Sequence, residues 1–265
     1  METNFLEINR KLWNDKTKVH IQSEFYNVDQ FRQTKNSLNK IEMDALGNVQ
    51  GKSMLHLQCH FGMDSISWAM KGAKVTGIDL SDEAINQAKI INDELNAGAT
   101  FVCSDVYSLK ENLQGSFDIV FTSYGTIGWL PDLNKWAEIV SHFLKAGGSF
   151  YIVDFHPVVW MMDYDFTKIE YSYFNIEPIV EEVTGTYADF NAPIKNSSIS
   201  WNHHLGEIIS ALLKNGLQIT LFNEMDYSVY NCFKKMVETE PGKFMIEGFE
   251  KKLPMMYEIK CIKPF

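Results

Sequence analysis

The sequence predicts an α/β fold built on a parallel sheet with helices on both faces. Three observations carry this. Ser53 to Gly62 reads as a short apolar strand running into a turn, with a helix following from Asp64 to Lys71. Val75 to Ser81 reads as a second strand that ends in an acid, Asp79. Strands and helices then alternate as far as Asp154, and such alternation implies parallel strands joined by helical crossovers.

Strands are expected near 53–58, 74–79, 99–103, 117–123 and 148–155, and helices near 63–71, 82–95 and 132–145. Ser81 is a suitable N-cap for the second helix, whose Glu83-Ala-Ile-Asn-Gln-Ala-Lys run favours helix. Gly147-Gly148 is expected to end the helix over 132–145. His156-Pro157 stops the fifth strand. Residues 168–188 alternate like an antiparallel hairpin, with Ile169, Tyr171 and Tyr173 and then Ile179, Val183 and Tyr187. Trp201 to Asn215 reads as a helix closed by Gly216, and Leu217–Phe222 and Pro254–Ile262 read as strands. Residues 156–200 are therefore an insertion between the fifth strand and its following helix. Before the first strand, Leu6, Leu12 and Trp13, then Phe25, Tyr26 and Phe31, then Leu38, Ile41 and Leu46 suggest short amphipathic helices. The division expected is an N-terminal helical segment over 1–50 and a domain over 51–265 that carries 156–200 as a cap.

Strand, turn, helix, strand and acid is the core of a nucleotide-binding βαβ unit, with the ligand at the turn and the acid on a ribose hydroxyl. A dinucleotide fingerprint wants three glycines for close approach to a pyrophosphate. Here Gln58 and His60 stand where two of them would be, and only Gly62 remains. That argues against NAD or FAD. A ligand without a pyrophosphate tolerates side chains at the turn better, and S-adenosylmethionine is such a ligand.

Segment 53–155 resembles the core of the class I S-adenosylmethionine-dependent methyltransferases. Their first motif usually reads acid-x-Gly-x-Gly-x-Gly, and the matching positions here are His56, Gln58, His60 and Gly62, three of which depart from it. Gly77-Ile-Asp79-Leu-Ser resembles the family's ribose-binding strand end. Phe101-Val-Cys-Ser-Asp105-Val is similar to its third strand, Phe117 to Tyr124 to its fourth, and Leu144 to Asp154 to the turn into its fifth. The resemblance implies a doubly wound, Rossmann-like sheet of seven strands with an antiparallel last strand. It implies an N-terminal lid over the cofactor. It implies cofactor contacts from Gln58, Cys59, His60 and Gly62 at the turn, Asp79 and Leu80 at the ribose, Ser104, Asp105 and Val106 at the adenine, and Ser123, Tyr124 and Tyr26 near the sulfonium.

Composition narrows the classes of function. The chain has 265 residues, 45% hydrophobic and 22% charged, as in ordinary globular proteins. A net charge of −10 disfavours a nucleic-acid partner. The acids of 151–200 are expected to be a solvated surface, or else an attractive field for a cationic substrate. No run of apolar residues is long enough for a membrane helix, and the N-terminus lacks the basic start of a secretion signal. Cys59, Cys103, Cys232 and Cys261 are isolated, which suggests reduced thiols, a cytoplasmic location and no structural metal. A monomer or homodimer acting on a small molecule, without nucleic acid or membrane partners, is expected.

Methyl transfer from a sulfonium is an in-line displacement that asks mainly for alignment, with a base needed only if the acceptor carries its proton into the reaction. The candidates for that base are His156 after the fifth strand, His203 beside His204 at the start of the 201–215 helix, and His20 in the N-terminal segment. Trp160, Met161 and Met162 are candidates for the floor of an apolar acceptor pocket. No Asn-Pro-Pro-Tyr-like tetrapeptide stands at the fourth strand, where Thr122-Ser-Tyr-Gly125 sits, which argues against methylation of base or glutamine amino groups. The leading expectation is S-adenosylmethionine-dependent methylation of a metabolite. The alternative is a protein that binds S-adenosylmethionine or its demethylated product without turnover.

Overall fold

A computed structural model of the chain describes residues 4–265. Three helices come first: α1 (Phe5–His20), α2 (Val28–Thr34) and α3 (Lys40–Leu46). Then follow β1 (Ser53–Leu57), α4 (Met63–Met70), β2 (Lys74–Asp79), α5 (Asp82–Leu95), β3 (Thr100–Cys103), α6 (Leu109–Asn112), β4 (Phe117–Ser123), α7 (Leu133–Phe143) and β5 (Leu144–Phe155). The remainder is β6 (Ile179–Thr184), β7 (Lys195–Ser200), α8 (Leu205–Lys214), β8 (Gln218–Met225), β9 (Met236–Glu240), β10 (Lys243–Ile246) and β11 (Met256–Ile262).

The main sheet has seven strands in the order β3-β2-β1-β4-β5-β11-β8. β1 pairs in parallel with β2 and β4, and β11 runs antiparallel to both β5 and β8. The order reverses between β1 and β4, and the crevice at the carboxyl ends of those strands is where open α/β sheets bind ligands. Its two faces are buried separately. Trp136, Val140 and Phe143 of α7 and Ile208 and Leu212 of α8 pack with Leu55, Leu57 and Phe150 on one side. Leu46 of α3 and Trp68 of α4 join Met54, Phe121 and Tyr151 on the other. That double burial explains why β1, β4 and β5 read as nearly continuous apolar runs. The cap expected at Ser81 is present, its hydroxyl accepting from the Ala84 amide at 3.0 Å.

The structure corrects two expectations and adds an element the sequence did not suggest. The hairpin is not 168–188; β6 pairs with β7, Ile179 opposite Ser200 and Thr184 opposite Lys195. The alternation over 169–173 is that of an irregular segment whose side chains turn to different neighbours. Gly147-Gly148 do not end α7. The helix stops at Phe143, Leu144 is already extended, and Gly147 lies inside β5 with φ +74°, where a Cβ would come 2.7 Å from the Phe265 ring. A second excursion, absent from the sequence reading, fills 226–255 between β8 and β11 and carries the β9–β10 hairpin. No helix among the described residues is long and apolar enough to cross a membrane.

The N-terminal segment is anchored to both halves of the molecule. Asn9 of α1 exchanges two hydrogen bonds with the Ile199 backbone of β7, at 2.8 and 3.1 Å. Asn14 accepts from the Ser81 hydroxyl at 2.6 Å and donates to Asp82 at 2.8 Å, at the start of α5. α1, the β6–β7 hairpin and residues 230–234 thereby surround the crevice at the sheet's carboxyl edge.

Candidate functional site

A cavity of ≈ 1150 Å³ opens at that edge. Its floor is the turn after β1. Gln58, His60 and Gly62 have φ of +55°, +51° and +79°, so all three lie in the left-handed region. This backbone explains a glycine at each of these positions in the usual motif, and Gln58 and His60 hold the same shape at a cost in strain. Gly62 has no substitute: a Cβ there would stand 2.6 Å from Phe101 and 2.9 Å from Ala88. Gln58 ties the turn to the loop after β4 by donating to the Thr126 carbonyl at 2.9 Å. Cys59 is buried in the same turn, and burial pushes its thiol well above the usual range.

Asp79 braces this turn. Its carboxylate accepts from the His60 and Ser81 amides, each at 2.8 Å. Burial raises its pKa to about 6 against the lowering effect of those bonds. Each carboxylate oxygen keeps further acceptor capacity. Asp105, after β3, accepts from the Tyr107 and Ser108 amides at 2.9 and 3.0 Å through one oxygen. Leu80, Ser104, Val106, Ser123, Tyr124 and Tyr26 line the same cavity. All twelve residues implied as cofactor contacts therefore border one cavity.

The histidines divide differently. His156 does not border the cavity; it turns to Glu224 of β8, Nε2 to Oε1 2.9 Å, and accepts the Val158 amide at 3.2 Å, so it closes the turn that leaves β5. His20 lies behind the wall, its Nδ1 3.4 Å from His60 Nε2. Burial, with the neighbouring His60 and Lys16, pushes it far below the usual range, so it is neutral. His203 borders the cavity, yet both ring nitrogens are engaged, with Glu207 at 3.0 Å and the Leu130 carbonyl at 2.7 Å. His204 caps α8 by accepting the Glu207 amide at 3.1 Å. Of the four only His203 borders the cavity, and its two ring nitrogens are both engaged. His56, where an acid is usual, meets Ser65 at 2.8 Å, and burial pushes it down to about 3.

Four residues important to this site went unread in the sequence. Asp64, at the start of α4, borders the cavity and accepts from Ser37 at 2.6 Å and Ser123 at 3.2 Å; burial raises its pKa. Glu42 lies behind it, accepting from Tyr124 at 2.8 Å and the Asn39 amide at 2.6 Å. Burial, with repulsion from Asp64, raises Glu42 to about 7. Asp154 accepts from the Gly125, Thr126 and Phe155 amides and so shapes the loop after β4. Lys16 enters the cavity from α1. Only Glu42 left a trace in the sequence, as the third residue after Asn39 in a capping box.

Residues 54–148 match the family described as a methyltransferase domain. The chain is 33% identical over 128 residues to an uncharacterized methyltransferase of Synechocystis sp., covering 46% of this chain and 57% of that protein. It is 29% identical over 114 residues to the ubiquinone biosynthesis O-methyltransferase of Chromobacterium violaceum, covering 42% of this chain and 49% of that one. It thus spans about half the length of these curated relatives. Among solved structures, an S-adenosylmethionine-dependent methyltransferase from Clostridium acetobutylicum superposes with a TM-score of 0.59 at 16% identity, covering 89% of this chain and 96% of that one. The strand order and the superposition agree in showing the fold of the solved S-adenosylmethionine-dependent methyltransferases, and the segment 54–148 that matches the methyltransferase domain carries β1 to β4 and the turn after β1.

Proposed function

We propose that the protein transfers the methyl group of S-adenosylmethionine to a small-molecule acceptor. The observation that carries this is the left-handed turn at Gln58, His60 and Gly62, held by Asp79 at the switch point of the sheet. A turn that keeps the glycine backbone with bulkier residues keeps a ligand site without room for a pyrophosphate. The chain's own groups fit the cosubstrate. The spare lone pairs of Asp79 suit ribose hydroxyls, and the second oxygen of Asp105 suits an adenine amino group. Asp64, with no cation paired to it among the described residues, suits the ammonium of a methionine tail. Tyr124 and Tyr26 flank this position, where aromatic faces favour a sulfonium.

S-adenosylmethionine brings an already activated methyl group, so the protein has to bind, orient and exclude water. The cavity exceeds the range usual for a single ligand, roughly 300–1,000 Å³. The lining includes Phe155, Val159, Trp160 and Phe233, apolar side chains that suit the body of an acceptor. The relative from Chromobacterium violaceum is named as an O-methyltransferase, which supports a hydroxyl acceptor. The changes at His56, Gln58 and His60 support a second reading, binding without turnover. Labelled S-adenosylmethionine incubated with pooled metabolites separates the two, because only an enzyme labels an acceptor.

Two results are expected. In calorimetry the protein binds S-adenosylmethionine or S-adenosylhomocysteine and binds NAD far more weakly; equal or tighter NAD binding removes the assignment. We also propose that residues 1–50 act as a lid. Trp13, Phe25, Tyr26 and Phe31 border the cavity, and α1 is fastened to core and cap by Asn9 and Asn14. Ligand should therefore slow amide exchange across residues 13–31. Fast exchange that is identical with and without ligand excludes a lid.

A further inference from the structure

α1 delivers one cation into a cavity whose nearest walls are aromatic. The Nζ of Lys16 lies 4.8 Å from the ring centre of Trp13, 5.4 Å from Trp129 and 5.8 Å from Tyr187. The residue is 8% exposed and borders the cavity. Every other lysine that borders the cavity has a carboxylate partner: Lys234 sits 3.1 Å from Asp165, whereas Lys16 forms no salt bridge among the described residues. A buried ammonium without a counter-charge is costly, and aromatic faces offset only part of that cost.

The surrounding titratable groups do not supply the missing charge. His20 follows on α1, and His60 projects from the turn after β1; both are held down by burial and by Lys16 itself, His60 to about 3, so both are neutral. Tyr187, after β6, and Tyr26, after α1, are hydrogen-bonded to each other, and burial raises both, so neither is a phenolate. Asp79 accepts from the His60 amide and stabilises the turn. Burial lowers Lys16 to about 8, close to the pH at which an amine exchanges protons readily.

Resting on the methyltransferase reading, we propose that Lys16 receives the acidic hydroxyl of the acceptor, a phenol or an enol, and pairs with its oxygen as the proton leaves. The neutral fraction of the Nζ, which a pKa of about 8 keeps available near neutral pH, takes the hydroxyl proton and becomes an ammonium. The acceptor oxygen uses the freed electron pair to bond the methyl carbon, the carbon–sulfur bond breaks with its pair staying on sulfur, and the ammonium returns its proton to water. A neutral amine acceptor would gain nothing from this cation, whereas an oxyanion gains an ion pair in a site walled by rings.

The test uses 4-nitrophenol, whose absorbance reports its ionisation, added to protein saturated with S-adenosylhomocysteine. In the native protein the bound probe is expected as the phenolate at pH values below its solution pKa. In Lys16→Met, probe affinity should fall about tenfold or more and the bound probe should stay protonated, as expected when a charge-assisted pair is lost. The variant should melt no lower than the native protein, because it replaces an unpaired buried cation with an apolar chain, and its affinity for S-adenosylhomocysteine should stay within about twofold, too small a change for a lost ion pair. A native protein that does not bind the probe, or an equal phenolate fraction in both proteins, overturns the proposal. So does a tenfold loss of S-adenosylhomocysteine affinity in the variant, which would put Lys16 on the cosubstrate's carboxylate. Failure of the native protein to bind S-adenosylhomocysteine at all counts instead against the methyltransferase reading.

Discussion

Asp79→Ala is expected to weaken S-adenosylmethionine binding at least about tenfold and to lower folding stability by about 1–3 kcal/mol. The first effect follows from losing charge-assisted bonds to the ribose. The second arises within the fold. The carboxylate holds the His60 and Ser81 amides, and its removal leaves both without that partner while Gln58 and His60 remain in strained left-handed backbone. An acid at a strand end, read from sequence alone, is expected to be replaceable without harm to the core; the structure gives it a second role in bracing the turn. Asp79→Asn keeps one acceptor oxygen and should recover much of the stability while binding remains weak. The pH dependence carries the same signature. With its pKa raised to about 6 in the free protein, Asp79 is neutral in more acidic solution, so affinity should rise with pH through that value. Calorimetry with S-adenosylhomocysteine from pH 5 to 8, beside chemical denaturation of each variant, checks both. Unchanged affinity in a folded Asp79→Ala protein would place the ribose elsewhere.

The sheet was legible in the sequence because its strands carry a local signal. Residues 53–57 and 117–123 are apolar on both faces, end in turn residues and are spaced by helices, so the periodicity alone separates them. The cavity wall at Asp79 and Asp105 was legible for the same reason, since Asp79 ends β2 and Asp105 comes two residues after β3. The surroundings of the histidines were not. His156 and His203 sit at the right places in the chain, but sequence does not show that Glu224 and the Leu130 carbonyl claim their nitrogens. The partners lie 68 and 73 residues away. The cap hairpin was misplaced because 169–173 alternates as well as β6 does, and pairing is decided by β7, a polar strand of Lys-Asn-Ser-Ser-Ile-Ser that shows little apolar alternation. Lys16 looked like one of many helix lysines. Its burial depends on Trp129 and Tyr187, which arrive from distant loops.

Glu42→Gln is expected to stabilise the free protein at pH 8 by up to about 3 kcal/mol and to change little at pH 5. Glu42 is fully buried beside Asp64, with no cation paired to it among the described residues, and its pKa is raised from 4.5 to about 7. A carboxyl whose pKa is raised on folding is neutral in the folded protein over a range where the unfolded chain has already ionised. Its favourable contribution is complete below 4.5 and is lost as the pH rises through about 7. Gln never ionises, so it avoids that loss, and its amide can still accept from the Asn39 backbone and meet Tyr124. Any hydrogen bond weakened by the substitution acts equally at both pH values, so the difference between them isolates the charge. Chemical denaturation of both proteins at pH 5 and pH 8 measures it, and a stability difference that does not grow with pH excludes the buried-charge account. The same pair ties stability to the site. Asp64 borders the cavity and Glu42 does not, so an ammonium seated against Asp64 would relieve the repulsion between the two acids. Saturating S-adenosylmethionine should then shrink the advantage of Glu42→Gln at pH 8, whereas a ligand seated away from Asp64 would leave that advantage intact.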